Sequence, residues 1–132
     1  MHKVLQPDGW ARPLGYANGM EAAKGRVIYV AGQVGWTPDS KIVSDDLALQ
    51  VRQALQNIVD IVAVAGGKPE HLTALTWFIT DTEEYNSKLK PIGAAYREVI
   101  GRHFPTMSVI GISKLIEEGA KVEIVATAVI PE

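Results

Sequence analysis

Leu47, Val51, Leu55, Ile58 and Val62 recur at helical spacing, giving this segment one apolar face and one polar face. Ser44-Asp45-Asp46 stands just ahead of them, with side-chain oxygens to cap free N–H groups and two carboxylates at the positive end of the helix dipole. Gly66-Gly67 followed by Pro69 ends the helix. A second stripe, Tyr85, Leu89, Ile92, Tyr96 and Val99, follows the capping pattern Asp81-Thr82-Glu83-Glu84. Pro91 either breaks that helix or sits in the first turn of a restarted one.

Strand patterns surround the helices. Tyr16 to Ala23 and Arg26 to Val34 read as a hairpin turning at Lys24-Gly25. The second of these is nearly all apolar, which predicts a central strand covered on both faces. Further strands are expected from about Leu72 to Thr80, Met107 to Ile112 and Lys121 to Ile130, the last two separated by a turn at Glu117-Glu118-Gly119. The opening stretch from Gln6 to Pro13 is an ordered loop anchored by Trp10. The predicted order is ββαβαββ, an α+β chain with two helices on one face of a sheet.

The last strand adds a requirement. Val122, Ile124, Ala126, Ala128 and Ile130 form one face, yet Glu123, Val125, Thr127 and Val129 on the other are mostly apolar too. Two helices cover only one face, so the other calls for a second copy of the chain.

Composition narrows the chemistry. The chain has 132 residues, enough for one domain spanning 1–132, with 47% apolar and 21% charged residues. Net charge is −2 and the thirteen basic residues are scattered, so no stripe is present to follow a phosphate backbone and nucleic acid is not the expected partner. There is no cysteine, which excludes disulfides, thiolate metal sites and cysteine nucleophiles. His2, His71 and His103 stand far apart in the sequence, so no metal and no cofactor is expected. Lacking a signal-like start or an apolar run of roughly 20 residues, the chain is expected to be cytoplasmic and not membrane-bound. Gly32-Gln33-Val34-Gly35 has neither the spacing nor the lysine of a nucleotide loop, and no Gly-x-Ser-x-Gly elbow is present.

Five motifs occur in order: Gly-Tyr-x-x-Gly at Gly15 to Gly19, Val30-Ala31-Gly32-Gln33, Ile79-Thr80-Asp81, His103-Phe104-Pro105-Thr106-Met107-Ser108 and Lys121-Val122-Glu123-Ile124. With them, the chain from about Leu14 to Pro131 resembles the Rid family (reactive intermediate deaminases, also called YjgF or L-PSP proteins). The resemblance implies a chorismate-mutase-like fold assembled as a homotrimeric barrel, with small-molecule sites in clefts between subunits. It implies hydrolytic deamination of a reactive enamine or imine. Glu123 matches the family's water-positioning glutamate, Gly32 the glycine whose N–H meets the ligand carboxylate, and Tyr16 the tyrosine at the cleft mouth. Ala31 stands where many members carry serine.

One position departs. Met107 stands where enamine-hydrolysing members carry the arginine that clamps the substrate carboxylate, and Ser108 follows it. A bidentate arginine supplies charge and geometry, and methionine supplies neither. Three readings follow: a substrate without the usual α-carboxylate; a cation from elsewhere, such as Arg12, Lys88, Lys90 or Arg102; or a non-catalytic trimer that binds a small molecule. Among the tryptophans, Trp77 reads as core and Trp36, in the loop after Gly35, as the one to touch ligand. The bland alternative for Glu123 is an edge-strand glutamate that faces solvent or pairs with Lys121. Some family members are described as ribonucleases, a role the acidic balance disfavours.

Overall fold

The computed structural model describes all 132 residues. Six strands form: β1 (Lys3–Leu5), β2 (Gly19–Glu21), β3 (Gly25–Val34), β4 (Leu72–Ile79), β5 (Thr106–Gly111) and β6 (Val122–Pro131). The helices are α1 (Leu47–Val64), α2 (Thr82–Ser87) and α3 (Leu89–Val99), with a 3-10 turn at Pro69–His71. The main sheet has the order β3-β6-β4-β5, with β4 and β5 parallel and the other pairs antiparallel.

Local chemistry sets the helix ends. The Asp46 carboxylate accepts from the Leu49 N–H at 3.0 Å and caps α1. At the other end Gly66 takes a left-handed φ of 84°, the Gly66 N–H donates to the Ala63 carbonyl and the Gly67 N–H to that of Val62. Together these bonds stop the helix and satisfy its last carbonyls. Asp81 caps α2 by accepting from the Glu84 N–H at 3.0 Å. The second helical stretch divides at Lys88, and Pro91 falls in the first turn of α3, where its missing N–H costs nothing.

The stripe Leu47, Val51, Leu55, Ile58 and Val62 is buried, as are Leu72, Leu75, Trp77 and Ile79 of β4 and Val122, Ile124, Ala126 and Ala128 of β6. All belong to one core between the helices and one sheet face. Gln50 is buried within it, donating to the Ser44 and Gly119 carbonyls and accepting from the Lys121 N–H, so α1 is fastened to the turn before β6.

The N-terminal half differs from the sequence-based expectation in four respects. Tyr16 to Ala23 is not one arm of a hairpin with the next strand: only Gly19–Glu21 is extended, and it pairs with β1. Gly25 is not the turn. It opens β3 opposite Pro131, where a Cβ would lie 2.1 Å from the Ile130 carbonyl oxygen, so glycine is required for the close approach to β6. β3 is an edge strand rather than a central one, because β6 occupies only one of its sides; Val27 is 50% and Tyr29 81% exposed. Trp10 is 62% exposed, so it is not a buried anchor for the opening loop.

The strand register leaves one sheet face without helices. Val27 and Tyr29 of β3, Val125 of β6, Phe78 of β4, and Ser108 and Ile110 of β5 lie on it. Glu123 is the one charged strand residue on that face.

Candidate functional site

The expected site residues divide between the two sides of the sheet. Met107 pairs in register with Leu75, so its side chain faces the helices and packs against the main core. There it joins Tyr16, Trp77, Tyr85, Tyr96, Phe104 and Arg97 around a cleft of about 610 Å³. That volume is within the range of small-molecule sites, roughly 300–1,000 Å³. β4 and β5 form the floor, α2 and α3 one wall, and the Leu14–Tyr16 segment the rim. The Ala17 N–H donates to the Pro105 carbonyl at 3.0 Å, which ties that rim to the start of β5.

The walls are aromatic and mostly neutral. Tyr96 and Phe104 stack at 5.6 Å, and Trp77 meets Tyr85 edge to face at 6.5 Å. Burial holds the Tyr96 phenol well above its ordinary pKa and raises that of Tyr85. The Tyr96 hydroxyl donates to the His103 carbonyl at 2.6 Å, while a ring nitrogen of His103 meets the Leu72 carbonyl at 2.7 Å. His103 is thus a strut between α3 and β4. The Trp77 indole N–H is buried with no acceptor.

Gly32 and Glu123 lie on the opposite side. Glu123 stands between Val34 and Phe78 in the sheet, its side chain on the face without helices. A Cβ on Gly32 would lie 2.5 Å from Glu123 Oε2, 2.7 Å from Cδ and 2.9 Å from Cγ, so only glycine leaves room for this side chain as it lies. The pairing of Glu123 with Lys121 does not occur, since the Lys121 ammonium bonds the Glu84 carboxylate at 3.1 Å instead. The Glu123 carboxylate has no hydrogen-bond or ion-pair partner in the chain.

Ser108 is exposed on the same face as Glu123 but in the row of Thr76 and Val125. Ala31 is exposed at the register shift between Val30 and Gln33. Trp36 packs on a small cluster of Val34, Leu115 and Ala120, away from the cleft. Among the cations considered from sequence, Arg12 and Arg102 line a second cleft across the Leu14–Tyr16 rim, and Lys88 bridges Asp46 and Glu84. Lys90 lines neither cleft. Arg97 was missed. It shares a helical stripe with Leu89 and Gly93 at spacings of four, one position off the apolar stripe used to predict the helix.

Residues 12–130 match the endoribonuclease L-PSP family. The chain belongs to this family, the Rid or YjgF proteins. It is 28% identical to the 2-iminobutanoate/2-iminopropanoate deaminase of Salmonella typhimurium over 98% of both chains. It is 29% identical to the human protein of that name over 79% of this chain and 73% of the relative. The crystal structure of the Rid family protein YyfB from Yersinia pestis superposes with a TM-score of 0.87, at 26% identity over 98% of each chain. The α+β architecture with its mixed sheet is therefore that of the Rid proteins.

Proposed function

We propose that this Rid protein hydrolyses a reactive imine, or an enamine after tautomerisation, to the carbonyl compound and ammonia, with a specificity altered by Met107. The reading is carried by Glu123: an unpartnered carboxylate on an otherwise uncharged sheet face, seated over a glycine that leaves it room. In the reaction, Glu123 takes a proton from water as the oxygen bonds to the imine carbon and the C=N π pair moves to nitrogen. The proton then passes to that nitrogen to give the carbinolamine. Glu123 next takes the carbinolamine hydroxyl proton and delivers it to the amine, so that as the C–N bond breaks the oxygen pair forms the carbonyl and the nitrogen leaves as neutral ammonia. The Gly32 N–H is the backbone donor for the substrate. Tyr16 closes the mouth of the cleft, and Met107 gives it an apolar floor.

Because the cleft and Glu123 are on opposite sides of one sheet, a single copy has half of each site. A second copy laying its Glu123–Gly32 face over the cleft completes it, and three copies in a ring close every site. The same assembly covers Val27 and Tyr29, which a single chain leaves open. One observation favours a second reading. The cleft of a single copy is lined by no carboxylate, so a chain whose copies do not bring the two halves together would bind a small molecule without turning it over.

The test is Glu123→Gln, which keeps the shape and removes the base. General acid–base help is worth about 10²–10⁴-fold, so ammonia release from imines generated in situ should fall by that factor. Mass and ligand affinity should hold. Undiminished turnover in the variant would make Glu123 structural.

A further inference from the structure

We infer that Arg97 is the carboxylate-binding residue of this cleft and that its ligand class is an aromatic or bulky apolar carboxylate, the aromatic 2-imino acids as substrates. The inference deepens the function proposed above and takes its site from that reading.

Met107 leaves the floor of the cleft without a cation, and neither Arg12 nor Arg102 lines it. Arg97 does, from α3. Its guanidinium lies back along the helix over Gly93, where a Cβ would stand 3.3 Å from Nη1, and Gly93 lines the same cleft. Arg97 has no acidic partner: the adjoining Glu98 is held by Arg52 at 3.0 Å, and Glu84 by Lys88 and Lys121. A guanidinium with its donors free, at the edge of an apolar cavity, is the group that recognises a carboxylate there.

The rest of the cavity sets the body of the ligand. Trp77, Tyr85, Tyr96 and Phe104 present ring faces and edges, and Met107 is a soft, adaptable neighbour for a further ring. A side chain the size of methyl or ethyl leaves most of 610 Å³ unfilled. Binding should therefore tighten steeply with apolar bulk, by about 4-fold per buried CH₂. Arg97 holds the anion at the mouth while the ring lies over Met107.

Three probes test this on the assembled protein by calorimetry or NMR titration: 3-phenylpropanoate, propanoate and 3-phenylpropan-1-ol. 3-Phenylpropanoate should bind tightest. Arg97→Gln should weaken it about 10-fold or more, the value of a charge-assisted pair, while leaving the alcohol unchanged. Arg97→Lys should retain part of the affinity. Arg97 is exposed and unpaired, so neither variant should lose its fold. Propanoate binding as tightly as 3-phenylpropanoate, or indifference of 3-phenylpropanoate to Arg97→Gln, overturns the inference. Turnover separates it from the deaminase reading. Hydrolysis of aromatic imines with the same KM in Arg97→Gln sinks Arg97 and leaves the enzyme. Arg97-dependent binding without hydrolysis of any imine sinks the enzyme and leaves Arg97.

Discussion

Substituting Gly32 by alanine should separate stability from activity, and the geometry fixes both magnitudes. The new Cβ would fall within 3 Å of three atoms of Glu123, Cγ among them. Rotating the terminal carboxylate clears Oε2 but not Cγ, so the side chain must change χ1. Such a displacement costs about 0.5–1.5 kcal/mol if the new position is off a rotamer well. Against it, alanine reduces the freedom of the unfolded chain by about 0.4–1 kcal/mol, and the φ of Gly32 is outside the left-handed region that would penalise a side chain. The two effects offset to within about 1 kcal/mol, a change in Tm of roughly 2–5 °C for a chain of this size. Turnover should respond differently. A carboxylate moved by an ångström or more loses its alignment with water and substrate, a loss on the order of 10²-fold. Circular dichroism melts and ammonia release from imines made in situ read the two quantities independently. Gly35→Ala is the contrast: its Cβ would meet the Gln50 Cα at 2.6 Å, where backbone must give, so stability should fall with activity. Full turnover in Gly32→Ala, beside an inactive Glu123→Gln, would show that Glu123 acts from a position the alanine does not disturb, and the argument would fail.

Gln50→Leu keeps the volume but strips partners from the Ser44 and Gly119 carbonyls and the Lys121 N–H, so it should cost about 3 kcal/mol, with Tm lower by on the order of 10 °C. Light scattering at micromolar concentration should give about three times the 14.3 kDa chain mass, consistent with ring closure. Tyr29→Asp should shift that mass toward the monomer and abolish turnover with little change in the fold, since Tyr29 is 81% exposed in the single chain; an intact trimer would place the interface elsewhere. Met107→Arg should raise turnover of 2-iminopropanoate, and rapid hydrolysis of that small substrate by the unaltered chain would refute the account of Met107.

The helices and the later strands were legible because their signals are local. Asp46 and Asp81 cap with their own side chains, Gly66 ends a helix within three residues, and the stripe from Leu47 to Val62 needs only its own periodicity. The N-terminal strands were misread because their signals are not. Gly25 looks like a turn residue in sequence, and only the backbone of Ile130, a hundred residues on, shows that it makes room. The apolar run Val27 to Ala31 has the composition of a central strand covered on both faces, yet an edge strand with one open face has that composition too. The site follows the same rule. Glu123 and Met107 stand in strands that are not neighbours in the sheet, one-residue parity along β5 and β6 decides which side each occupies, and parity across two strands joined through β4 is not written in either motif. Arg97 was invisible for a related reason: a cation beside an apolar stripe reads as solvated surface until the sheet beneath it is known to form a cleft. Sequence motifs name the groups a family uses; register decides which of them one copy of the chain can bring together, and here it sets the carboxylate and the cleft on opposite faces of the sheet.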